Sequence, residues 1–162
     1  MNSQILIKIN NFIKNRLIEI SGVLLVLSAI FLLTSIVSYS PADPNFIYTT
    51  DNDKIENLGG FYGSVTSDFL LQSLGLISFI AVINIFYWGF KLITEKKISN
   101  FISKVFFTFA FIIFGTTFVN ILFNDSFWLI DNGNSGFVGR IVKENLYSLT
   151  TLIENQYAVF SL

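Results

Sequence analysis

The sequence predicts an all-α integral membrane protein. It reads as a polytopic helical bundle of three full spans, with a Gly-rich outer loop and a short helix before where a fourth span would start. Three observations predict it. Hydrophobic residues make up 52% of the chain and charged ones only 13%, against roughly a quarter charged in a soluble domain. Three charge-free runs each reach the length of about 18 residues that separates spans from buried core helices. Lys and Arg gather in alternate loops, the bias that orients a multi-span chain.

The basic tail 1–16 carries Lys8, Lys14 and Arg16. The first span is expected over 17–40, with "ISGVLLVLSAIFLLTSIVS" (20–38) almost wholly apolar. A helix of that length covers about 28 Å, close to the hydrocarbon thickness. A cleaved signal peptide would also have a basic flank, but its apolar region is usually about 7–15 residues. An uncleaved anchor fits better. At Pro41 the helix is expected to end, with Asp43 and Pro44 forming a rigid acidic turn. The acidic loop 41–65 follows, holding Asp43, Asp51, Asp53 and Glu56 against Lys54 alone.

A second span is expected over 66–90 ("FLLQSLGLISFIAVINIFYWGF", 69–90) and a third over 104–124 ("VFFTFAFIIFGTTFVNILFN", 105–124). Tyr87, Trp88, Phe127 and Trp128 stand near their ends, as an aromatic belt would. The loop 91–103 between them carries Lys91, Lys96 and Lys97, with Lys104 just beyond, against Glu95. The Lys and Arg bias places the N-terminus and this loop in the cytoplasm and 41–65 outside. The Lys residues could touch anionic headgroups; a topology signal accounts for them as well. The region 125–162 is expected to form an outer loop and an amphipathic helix. It contains Glu154, Asn155 and Gln156, and the chain is expected to stop just before a fourth span.

Two outer segments align without gaps, "GGFYGSVTSDFLLQSLG" (59–75) and "SGFVGRIVKENLYSLTT" (135–151). Gly60 matches Gly136, Phe61 matches Phe137, Gly63 matches Gly139 and Leu70 matches Leu146. Val65 with Ile141 and Asp68 with Glu144 are conservative. Each copy follows an odd-numbered span. The physical reading is a Gly-rich turn feeding a helix that re-enters the membrane, since Gly permits positive φ and close backbone approach.

No residue is expected to be catalytic. The chain has no His and no Cys, which excludes disulfides, thiolate nucleophiles, Cys/His zinc sites and imidazole bases. It has no P-loop, no H-E-x-x-H and no G-x-S-x-G. A net charge of −1 gives no basic stripe for nucleic acid. No cofactor or metal is expected. Within the spans the notable polar groups are Gln72, Asn84 and Asn120, read as hydrogen-bonding glue between helices. Asp68 is expected at the outer end of the second helix, where a carboxylate favours the dipole.

The loop residues carry a resemblance. "SYSPADPNF" at the end of the first span, followed by "NLGGFYGSVTSDFL" (57–70) and "SGFVGRIVKENL", is similar to the membrane domain of FtsK/SpoIIIE-type DNA translocases. The resemblance implies four spans, cytoplasmic ends and a place at the division septum, anchoring a linker and a hexameric ATP-driven motor that moves chromosomal DNA. Walker motifs are absent here, so ATP and DNA would be partners only through a motor domain outside this chain. What carries over is a structural loop signature: Pro41, Asp43, Pro44, Gly60 and Gly63. The expected partners are the lipid bilayer of the bacterial inner membrane, further copies of the chain in a homo-oligomer, and division-septum proteins. The alternative reading is a small oligomeric transporter or pore subunit, with Asn84 and Asn120 along a path.

Overall fold

The computed structural model describes residues 3–46, 54–126, 128–129 and 132–160, and of 149–160 the backbone alone. Asp51, Asp53 and Phe127, and the side chains of Glu154, Asn155 and Gln156, lie outside the described residues. All described regular structure is helical: α1 (Ser3–Val37), α2 (Gly60–Leu74), α3 (Ile77–Glu95), α4 (Phe101–Leu122) and α5 (Gly136–Phe160). Three of these are long and apolar enough to cross a membrane, namely Gln4–Val37 within α1, α3 and α4.

The basic tail is not a separate segment. α1 runs unbroken for 35 residues from Ser3, because 3–16 contains neither Gly nor Pro to interrupt it. It stops at Val37, short of the expected end at residue 40. Ser38 N–H still reaches Thr34 O at 3.1 Å, but Tyr39 N–H turns back to Ile36 O. Pro41, with no N–H to offer, then occupies the second position of a turn closed by Asp43 N–H on Ser40 O at 3.2 Å.

The helix expected over 66–90 is in fact two. α2 ends at Leu74, Gly75 takes φ +56°, and α3 restarts at Ile77. Hydropathy is blind to this break because both sides of it are apolar. The corner is closed locally by Ser78, whose N–H and Oγ–H both donate to Gly75 O, at 3.1 and 2.7 Å. It is closed from afar by Leu76 N–H donating to Asn134 O at 2.8 Å.

α3 lies antiparallel along α1. Gly22 and Gly89 face each other so closely that a Cβ on either would lie within 2.9 Å of the other's carbonyl oxygen. Small residues let helices approach in this way inside a bilayer. Towards the Lys96 end the pair is tied by Glu19, which contacts Arg16 and lies 2.8 Å from Lys96 Nζ. Ala29, Ile36, Leu71, Val82 and Leu129 form the buried core. α4 turns Phe106, Phe107, Phe109, Phe114 and Phe118 outward, which suits a helix whose solvent is lipid. α4 packs mainly against α5 and barely touches α3.

Candidate functional site

The loop signature and its repeat build a buried polar hub at the Val37 end of α1. Asp43 is only 4% exposed. Its two oxygens accept from consecutive backbone N–H groups, Glu56 at 2.9 Å and Asn57 at 2.8 Å. A carboxylate taking two backbone donors is a strong, charge-assisted clamp. It fastens the far end of the loop onto the turn that Pro41 starts. Pro44 closes the other side, its carbonyl accepting Ser64 Oγ–H at 2.7 Å.

Asn57 is the centre of the hub, although in sequence it looks like any other loop amide. Its Nδ2 reaches Ser35 O at 2.8 Å, Ser38 O at 3.3 Å and Ser67 Oγ at 3.2 Å, while Oδ1 accepts Gly59 N–H at 2.9 Å. The Ser35 and Ser38 carbonyls at the end of α1, where a helix terminus leaves such groups without internal partners, are thereby satisfied by a side chain 22 and 19 residues away.

The two glycines of the signature do different work. Gly60 needs its positive φ of +61° to begin α2, and a Cβ there would meet nothing within 4 Å. Gly63 has no such backbone demand; a Cβ on it would lie 2.3 Å from Asn57 Oδ1 and 2.9 Å from Ser35 Oγ. α2 therefore begins beside Phe31 and Ser35, within the last two turns of α1. By Asp68 it has reached Tyr39, whose hydroxyl donates to Asp68 Oδ1 at 3.1 Å. Asp68 thus sits in the middle of α2, not at a helix start as expected, because the helix begins at Gly60.

The second copy repeats the local chemistry. Gly136 opens α5 with φ +65°. A Cβ on Gly139 would lie 2.4 Å from Thr116 O of α4, so this glycine too is a point of backbone contact with the preceding span. Ser135 Oγ accepts from Asn120 Nδ2 and donates to Asn124 Oδ1, both at 2.8 Å. Asn120 is therefore glue, as the sequence suggested. Asn84 is not, since its Oδ1 is buried without a hydrogen-bond partner. The copies differ in direction: α5 starts near the C-terminal end of α4 and runs back along it, whereas α2 starts beside α1 and passes beyond its end.

The two copies interlock. A Cβ on Gly136 would lie 2.4 Å from Ser73 O, and one on Gly75 would lie 1.9 Å from Asn134 O. Asn132 Nδ2 donates to Gln72 Oε1 at 2.8 Å across the same seam. Beside it opens a cleft of about 280 Å³ holding Asn45, Asp68, Gln72 and Asn132 with the rings of Phe46 and Phe69. These groups offer a carboxylate and three amides for positioning and binding.

Residues 14–154 match the family model described as the 4TM region of DNA translocase FtsK/SpoIIIE. Among curated proteins the chain is similar to the DNA translocase FtsK of Mesorhizobium japonicum, 25% identical over 134 residues, covering 83% of this chain and 15% of that protein. The FtsK of Rhizobium meliloti is 24% identical over the same share of each. That of Rickettsia bellii is 33% identical over 94 residues, 58% of this chain and 12% of the relative. The chain thus spans about one-seventh of the length of the curated relatives it matches. No solved structure gives a significant match.

Proposed function

The chain belongs to the family of 4TM membrane regions of FtsK/SpoIIIE DNA translocases, and from that premise we propose that it is the membrane anchor and septum-targeting domain of a cell-division DNA translocase. The observation that carries this reading is the doubled loop-and-glycine hub, which lies wholly inside the residues the family model matches. A hub made of backbone clamps and glycine contacts is a scaffold, suited to holding a fixed shape at one membrane face.

In this reading the N-terminus and the 96–100 turn face the cytoplasm. Lys8, Lys14, Arg16, Lys91, Lys96, Lys97 and Lys104 gather at that end, in keeping with the positive-inside bias. The hub faces outward from the bacterial inner membrane. ATP hydrolysis and DNA translocation fall to the part of such proteins that these residues do not cover. The partners are the bilayer, further copies of the chain as a homo-oligomer, and division-septum proteins meeting the outward hub.

Fusing a fluorescent protein to the N-terminus and imaging dividing cells tests the septal role. A midcell band is expected. Uniform membrane fluorescence from a stably inserted protein would remove septum targeting from the function of these residues and leave the anchor alone.

A further inference from the structure

α3 and α4 are consecutive spans joined by a short turn; they meet at Ile77 and Gly115 and at Trp88 and Phe101, and leave a cleft of about 430 Å³ between these contacts. Its wall is graded. At the 96–100 end stands Lys104, half-buried in the first turn of α4 and, among the described residues, without an ion-pair partner. Lys91, by contrast, is occupied by Glu95 at 3.2 Å and the Tyr87 ring at 5.7 Å. Tyr87 and Trp88 come next, the residue types that favour headgroup level. One and two turns further along α4, the exposed rings of Phe107 and Phe111 flank the open cleft. Opposite them is Asn84, about 10 Å along α3 from Lys91 by helical rise, its Oδ1 buried and unpartnered.

That order of cation, aromatic belt, amide and apolar wall mirrors the order of groups along a phospholipid. We propose that the α3–α4 cleft is a specific site for an anionic glycerophospholipid. The phosphate pairs with Lys104. An acyl chain lies along Phe107 and Phe111. The half-buried Asn84 side chain at the cleft wall offers its amide to an ester carbonyl, the acceptor a lipid carries below its headgroup. Basic pockets between spans are the expected receptors for such lipids. The inference needs only that the chain spans a membrane, and stands apart from the septal reading.

The test is native mass spectrometry of the full chain, titrated in detergent with phosphatidylglycerol or phosphatidylethanolamine. Retained phosphatidylglycerol adducts are expected, with phosphatidylethanolamine lost. Lys104→Ala should weaken retention about fivefold, Lys104→Arg should keep it, and Lys97→Ala, exposed at the same membrane face but off the cleft, should leave it unchanged. In the Trp128→Phe background, phosphatidylglycerol with brominated acyl chains should quench Trp88. Equal retention of both lipids, an equal loss in Lys97→Ala and Lys104→Ala, or an unquenched Trp88 would each overturn the site.

Discussion

Replacing Gly63 by Ala adds one methyl group to a right-handed helix, a change that is usually mild or favourable. Here the methyl carbon would lie 2.3 Å from Asn57 Oδ1 and 2.9 Å from Ser35 Oγ. Restoring ordinary contact requires the Asn57 amide to retreat by roughly 1 Å. Its bonds to Ser35 O at 2.8 Å and from Gly59 N–H at 2.9 Å would then stretch beyond the useful range of about 3.2 Å. Leaving two buried polar groups unmet costs about 1–3 kcal/mol each, so a loss of about 2–6 kcal/mol is expected. Gly60→Ala is the internal control. It meets open space and is penalised only for its left-handed backbone, by about 1–2 kcal/mol. The assay is chemical unfolding in detergent followed by helicity, for Gly63→Ala, Asn57→Ala and the double variant. If the clash with Asn57 is the mechanism, the double variant loses distinctly less than the sum of the two single losses. Additive losses, or a Gly63→Ala no worse than Gly60→Ala, would refute the hub as described.

Three further outcomes follow from the same contacts. Gly75→Ala combines a φ of +56° with a Cβ 1.9 Å from Asn134 O, so its thermal midpoint should fall further than that of Gly60→Ala. Gly22→Val drives a branched side chain against Gly89 O and Ile93; a loss of about 1–3 kcal/mol from overpacking is expected in the same unfolding assay. Asn120→Leu should cost about 0.6–2 kcal/mol by removing its bond to Ser135, whereas Asn84→Leu in lipid-free detergent should cost nothing measurable, because the Asn84 Oδ1 has no partner to lose.

The spans were legible because a membrane crossing is a property of composition over some twenty residues, and no tertiary contact is needed to see it. The glycine repeat was legible for a related reason: positive φ and close approach each demand Gly locally, and Gly60 with Gly136 and Gly63 with Gly139 meet those demands in pairs. What escaped depends on distant partners. Gly75 breaks its helix where residues 134–136 arrive to occupy the gap, and nothing within 69–90 announces them. Asn57 resembles any loop amide until the carbonyls of Ser35 and Ser38 are placed beside it. A charge-free run beginning at Phe69 points to a helix start at Asp68, yet helices start where backbone geometry allows, and Gly60 with its positive φ allows it earlier.

The seam between the copies has a consequence in time. A chain is made from its N-terminus, and the corner between α2 and α3 emerges well before the loop that completes it; Gln72 and Asn132, joined across the seam, are 60 residues apart. At about 5–20 residues per second that is a delay of roughly 3–12 s. Through that interval the Leu76 N–H lacks the acceptor it will have at Asn134 O. The spans α1 and α3 can therefore enter the bilayer before the α2–α3 corner gains its bond from the second copy. A released product truncated before residue 132 should insert its spans while lacking the contact that holds this corner from afar.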